Sequence, residues 1–204
     1  MSQINSLSDI TNNGLCIGCG ICQSLVGTDK ISISMSEKGR LEPEVIKPLS
    51  NLEFEKIKKT CPGVIVEGLP QTEVNNNSKH DLIWGYYNSL FYAWSTDKDI
   101  RFKSSTGGLL NGLSLYLLET NKVKFILHTG TDPKKPMRSV SRYSYNKQEL
   151  LNSGSCSRYG PSSPLDKFNE ALNKNEPFAF VGKPCDISAI RQLSKIDRRV
   201  NELC

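Results

Sequence analysis

The chain has 204 residues, 37% hydrophobic and 23% charged, which argues against disorder, coiled coil, collagen or a membrane span and leaves room for one large domain or two small ones. Its 26 basic and 21 acidic side chains leave a net +5, spread in knots such as Lys58-Lys59, Lys134-Lys135 and Arg198-Arg199. Charge scattered in this way is a weak pointer to an acidic partner and offers no base-reading or phosphate-tracking stripe for nucleic acid. Seven cysteines are the unusual feature, and three of them lie within residues 16–22.

The N-terminal segment carries no secretory pattern. Its first basic residue is Lys30, and Ile4, Leu7 and Ile10 are too scattered for a signal core. The most apolar run, residues 107–118, is broken by Asn111, Gly112 and Ser114 and falls short of the ~18 uninterrupted apolar residues of a membrane helix. The expected location is the cytoplasm. There, clustered thiols serve metals more readily than disulfides, and an odd count of seven suits no disulfide framework.

In chain order, KISISM at residues 30–35 alternates as a strand does. Ser50 and Glu53 have capping-box spacing, and the helix they open over residues 52–59 delivers Cys61-Pro62 just past its end. PQTEVNNNSKHD at residues 70–81 has the composition of an exposed connection, dividing the chain into residues 1–69 and 82–204. Beyond it, strand patterns at 89–95, 123–128 and 177–182 alternate with helix patterns at 106–119, from Ser163-Pro164 to Leu172, and at 186–196. Residues 139–145 read as an additional strand. Leu110, Leu113 and Leu117, and then Leu165, Phe168 and Leu172, recur at helical spacing. This order predicts an α/β sheet with parallel pairs. Trp84, Tyr86, Tyr87, Phe91, Tyr92 and Trp94 are expected to pack the core of the second unit. His80 and His128 have no partner visible in the sequence, and no role is assigned to either.

Cys16-x2-Cys19-x2-Cys22, followed at a distance by Cys61-Pro62, is the spacing that holds a 4Fe-4S cluster. Three thiolates on a tight loop cover one face and a remote cysteine before proline closes the tetrahedron. Gly18 and Gly20 suit a backbone that must turn sharply and aim amides at sulfur. A structural zinc site is the alternative, although zinc ligands more often come as two separated cysteine pairs. Cys156, Cys185 and Cys204 share no such spacing; a second cluster drawing on them stays open.

Three loops have the chemistry to meet a phosphate or a ring edge. Ser104, Ser105, Thr106, Gly107 and Gly108 precede the apolar helix, offering free amides and close backbone approach, while caps and turns use the same residues. VGKPCD at residues 181–186 ends a strand and starts a helix, a place where cofactors collect in α/β sheets. SRYGP at residues 157–161 adds Arg158 and Tyr159 on what is otherwise a surface turn.

Taken together, GLCIGCGIC at 14–22, CPG at 61–63, SSTGGLLNGLSLYLLE at 104–119, CSRYGPS at 156–162 and VGKPCDISAIRQL at 181–193 resemble the beta subunit family of coenzyme F420 hydrogenases and dehydrogenases. The resemblance implies an α+β / α/β chain: a small ferredoxin-like iron-sulfur module followed by an α/β flavin-binding domain that is incomplete at the C-terminus, since family members continue well past Cys204. It implies a flavin-dependent oxidoreductase passing electrons between FAD and the cluster. The redox partner would be a deazaflavin (coenzyme F420), a ferredoxin or a similar carrier, with other subunits alongside. Cys16, Cys19, Cys22 and Cys61 would ligate the cluster. Ser105, Thr106, Gly107 and Gly108 would line the flavin, with Arg158, Tyr159 and Lys183 nearby. The rival expectation is a non-catalytic iron-sulfur electron carrier or docking module without flavin.

Overall fold

A computed structural model describes residues 4–68, 70–154 and 157–204; Cys156 lies outside the described residues. The chain begins with a capping box, in which Ser6 Oγ accepts the Asp9 amide and the Asp9 carboxylate accepts the Ser6 amide, opening α1 (Leu7–Asn12). The cysteine loop leads into α2 (Ile21–Val26). β1 (Ile31–Met35) and β2 (Leu41–Val45) then pair antiparallel, Ile31 opposite Val45 and Met35 opposite Leu41. Pro43 fits inside β2 because a two-stranded sheet consists of edges only. The Ser50–Glu53 capping box forms as its spacing predicts and starts α3 (Asn51–Thr60), with Cys61 as the C-cap.

Part of the segment read as a connection is ordered. After a 3-10 turn at Gln71–Glu73, β3 (Lys79–Asp81) pairs antiparallel with β4 (Gly85–Tyr87). Asp81 Oδ1 accepts the amides of Ile83 and Trp84, both at 2.8 Å, and so folds the turn between them. The aromatic side chains here do not enter a core, contrary to expectation. Trp84 is 85% exposed, Phe91 81% and Tyr92 99%. Residues 89–95 form no strand either: neighbours of both parities face solvent, and among the described residues no partner strand lies alongside.

The remaining elements are α4 (Lys98–Lys103), a 3-10 turn at Thr106–Gly108, α5 (Leu109–Glu119), β5 (Phe125–Thr131), β6 (Ser139–Ser144), α6 (Lys147–Gly154), α7 (Phe168–Asn173), β7 (Phe178–Phe180), α8 (Pro184–Ser194) and α9 (Arg199–Leu203). Their sheet has the order β6-β5-β7, with β5 antiparallel to β6 and parallel to β7. The predicted parallel α/β sheet is therefore a small mixed one. Residues 132–138 are too short to carry a crossover helix, so β6 can only return antiparallel.

Both faces of this sheet are covered, which is why residues 125–128 are buried without alternation. Phe125 and Leu127 face a core with Phe168, Leu172 and Leu193, while Ile126 faces a second core with Ile100, Leu115 and Leu150. Burying each such side chain contributes about 1.5–3 kcal/mol. Phe125 stacks on Phe178 with ring centres 5.2 Å apart and meets Tyr143 edge-on at 5.3 Å. Leu165, Phe168 and Leu172 are buried as their spacing predicts, but the helix expected from Ser163-Pro164 starts only at Phe168, and Leu165 lies in the turn before it. In α5 the prediction is off by one face: Ser114 and Leu115 are buried, and Leu110 and Leu113 are exposed, because a helix apolar on all sides carries no stripe to choose from.

The first core also takes in Cys19 and Ile21, so the cysteine loop packs against α7. Ser24 Oγ accepts the Asn169 amide at 2.7 Å, and Arg191 pairs with Glu73 at 3.1 Å. Among the described residues no helix is long and apolar enough to cross a membrane.

Candidate functional site

Four thiols share one neighbourhood where α2 and α3 meet. Cys22 is buried in a small core with Ile10, Ile31 and Ile57, against which Cys16 and Cys61 pack. Cys19, the fourth, lies between this core and the larger one, and none of the four is in a disulfide. Cys61 is held there by its place as C-cap of α3. Amides are aimed at the sulfurs: Gly18 at Cys16, Ile21 at Cys19, Gln23 at Cys22, and Gly63 and Val64 at Cys61. Burial pushes the Cys19 thiol well above its ordinary range and Cys22 up to about 12, with each thiolate opposed further by its neighbours. Cys16 and Cys61 are raised as well, again chiefly by burial.

Such thiols keep their protons at neutral pH until a cation takes their place. Buried sulfurs that receive backbone N–H bonds are the donor set an iron-sulfur cluster requires, and the residues fit it. Among the described residues no three His, Cys, Asp or Glu side chains close around a single point able to hold one metal ion.

The loop is clamped onto the second half of the chain. Ser163 Oγ donates to the Gly18 carbonyl at 2.7 Å, and the Leu165 amide donates to the Cys19 carbonyl at 2.8 Å. At Gly20, φ is +84°, and a Cβ there would lie 2.9 Å from the Asp166 amide nitrogen. Only glycine meets both conditions.

On the other side of that clamp lies a cavity of about 370 Å³. It opens at the carboxyl ends of the parallel strands β5 and β7, where cofactors collect in α/β sheets. Ile126, Leu110, Leu150 and Val181 supply apolar wall; Ser105, Thr106 and Gly108 form one rim and Ser162 and Pro164 another. Thr106 has φ +56°, followed by Gly107 at +66° and Gly108 at +71°. A β-branched residue in the left-handed region stores about 1–3 kcal/mol of strain, held by the surrounding fold. The α5 N-terminus behind this loop has no side-chain cap.

Two polar groups border the cavity to which the sequence assigns no cofactor contact. His128 is buried, its Nε2 2.7 Å from Ser144 Oγ. Burial holds its pKa below the ordinary imidazole value, a backbone hydrogen bond at Thr129 opposing, so the ring is neutral at pH 7. Asp186 has no exposed surface at all, and its Oδ1 has no hydrogen-bond partner among the described residues. Its position after a strand and proline reads as a helix cap, which it also is. The signal for more was the coincidence of that cap with a strand end.

Of the expected flavin contacts, Ser105, Thr106, Gly108, Arg158 and Lys183 border the cavity. Gly107 instead packs on Trp94, 2.9 Å from where its Cβ would stand. Tyr159 is 97% exposed and does not border it. The Arg158 fork is already engaged, bonding Ser139 Oγ at 2.9 Å, Thr131 Oγ1 at 2.8 Å and the Pro136 carbonyl at 2.7 Å. It ties down the β5–β6 connection. Cys185 lies in the first turn of α8 and Cys204 at the end of α9. Apolar walls, a strained amide-rich rim and an unanswered buried acceptor fit a planar heterocycle with polar edges.

Comparison with known proteins agrees with the motifs. Over 188 residues the chain is 29% identical to the coenzyme F420-dependent sulfite reductase of Methanocaldococcus jannaschii, covering 92% of this chain and 26% of that protein. Over 114 residues it is 26% identical to the coenzyme F420 hydrogenase subunit beta of Methanococcus voltae, covering 55% and 40%. The chain thus spans about a quarter to two-fifths of the length of these curated relatives. A solved chain of the xenon-derivatised F420-reducing NiFe hydrogenase complex from Methanosarcina barkeri is 22% identical, with a TM-score of 0.45, over 52% of this chain and 36% of that one. Residues 90–168 match the family described as coenzyme F420 hydrogenase/dehydrogenase, beta subunit N-term.

Proposed function

We propose that the chain is the cofactor-bearing part of an oxidoreductase subunit, with a 4Fe-4S cluster on Cys16, Cys19, Cys22 and Cys61 and FAD entering the cavity at β5 and β7. The observation that carries this reading is a shared wall: residues 162–165 line the cavity through Ser162 and Pro164 and bond the cysteine loop through Ser163 and Leu165. Two redox centres held in this way would be divided by one stretch of chain. When bound, a flavin takes up a hydride or an electron pair and a cluster carries single electrons.

The chain's own residues supply the setting. Ile126 and Val181 keep water from one face of the cavity, and His128 presents a neutral imidazole to it. Ser105 Oγ accepts the Ser157 amide at 2.8 Å, holding the rim loop against the segment opposite. A deazaflavin, a ferredoxin or another subunit is the proposed redox partner.

Anaerobic purification with an absorption spectrum and iron, zinc and flavin analysis tests the reading. Iron with flavin is expected. Iron without flavin would leave an electron carrier or docking module, and zinc without iron would reject both. Cys19→Ala is expected to abolish the cluster absorption; unchanged iron content would refute the ligand assignment.

A further inference from the structure

Asp186 uses half of its carboxylate. Oδ2 accepts the Lys183 amide at 2.9 Å and pairs with Lys183 Nζ at 3.0 Å, while Oδ1 is buried and unanswered. An unmet buried acceptor is costly, more so when charged, so a fold retains one where a ligand completes it. The position is held tightly. Its two bonds to Lys183 fix one carboxylate oxygen, and a Cβ at Gly182 would stand 3.2 Å from Asp186 Cβ and 2.4 Å from the Phe180 ring, so the strand end comes this near only as glycine.

Asp186 and Lys183 border the cavity side by side, an acceptor next to a donor. The complement of that pair is a ring edge carrying N–H beside C=O. An ionised carboxylate accepts only, so it selects the N–H, and the ammonium donates only, so it selects the carbonyl. The oxidised isoalloxazine has a single ring N–H, the N3–H of its imide, flanked by two carbonyls. A 5-deazaflavin presents the same edge.

We propose that Asp186 and Lys183 read the imide edge of the ring bound in the cavity, with Asp186 Oδ1 accepting N3–H and the Lys183 ammonium meeting an adjacent carbonyl. This assignment rests on the flavin reading above and adds the residues that orient the ring.

The test measures binding of riboflavin, 5-deazariboflavin and N3-methylriboflavin to the full chain, anaerobically reconstituted with iron and sulfide, by quenching of ligand fluorescence. N3-methylriboflavin is expected to bind at least tenfold more weakly than riboflavin, the range of a hydrogen bond to a charged group. In Asp186→Asn the amide oxygen keeps the Lys183 amide and the NH2 turns to the cavity. Riboflavin should then weaken about tenfold and the methylation penalty shrink below about threefold. The methylated ligand needs no variant, so the test stands even where Asp186→Asn folds poorly. Equal binding of riboflavin and its N3-methyl derivative would overturn this inference and leave the flavin reading intact. Binding of neither riboflavin nor 5-deazariboflavin would overturn both. Preference between those two ligands tells which ring the edge serves.

Discussion

Replacing Gly20 by alanine tests whether the cysteine loop is built against the second half of the chain. Two costs add. An L-residue at φ +84° pays about 1–2 kcal/mol in the left-handed region. The new methyl would also stand 2.9 Å from the Asp166 nitrogen and 3.0 Å from its Cα, an overlap with backbone rather than with a movable side-chain tip. Relief requires the segment to back away, stretching the 2.7 Å Ser163–Gly18 and 2.8 Å Leu165–Cys19 bonds; overpacking of this kind costs about 1–3 kcal/mol. The total is about 2–5 kcal/mol. Gly14→Ala is the matched control: φ is +69°, but nothing lies within 4 Å of the added methyl, so only the conformational cost of about 1–2 kcal/mol applies. Urea unfolding of both variants, followed by circular dichroism, reads the difference. Equal destabilisation by the two substitutions would refute the close contact and, with it, the clamp between cluster loop and cavity wall.

Two further changes probe elements that position the site. Because burial depresses the His128 pKa, the unfolded chain takes up that proton first as pH falls; the contribution to stability is complete above about pH 6.5 and drains below it. His128→Gln should therefore flatten the fall in unfolding free energy between about pH 7 and pH 5, and a wild-type slope in the variant would rule this out. Ser50→Ala removes the hydroxyl that accepts the Glu53 amide and should destabilise the chain by about 1 kcal/mol in thermal unfolding, with reconstituted iron content unchanged if α3 only frays at its start.

What the sequence made legible was local. The Ser50–Glu53 capping box and the apolar recurrence of Leu165, Phe168 and Leu172 each express a rule that acts over a few residues: the box opens α3, and the three apolar side chains are buried although their helix starts only at Phe168. The failures share the opposite property. Residues 89–95 have strand composition, but a strand exists only when another offers its amides, and among the described residues none lies alongside. Trp84 and Tyr92 are large apolar side chains, yet a two-stranded hairpin has no second layer to receive them. Arg158 has the chemistry for phosphate, and its donors are claimed by the β5–β6 connection, which sequence proximity does not reveal.

The candidate site shows the same division more sharply. Both halves of it were visible as motifs, one of thiols and one of loops, with no indication of their relation. That relation depends on Cys19 and Ile21 sharing a core with Phe168, and on a short segment between α6 and α7 that touches the cysteine loop with Ser163 and the cavity with Ser162 and Pro164. Ser162 closes one motif and Ser163-Pro164 reads as a helix start, and neither reading contains the contact. Their role comes from what stands on either side, and a substitution in residues 162–165 should perturb the thiol loop and the cavity together, where a change in either motif perturbs one.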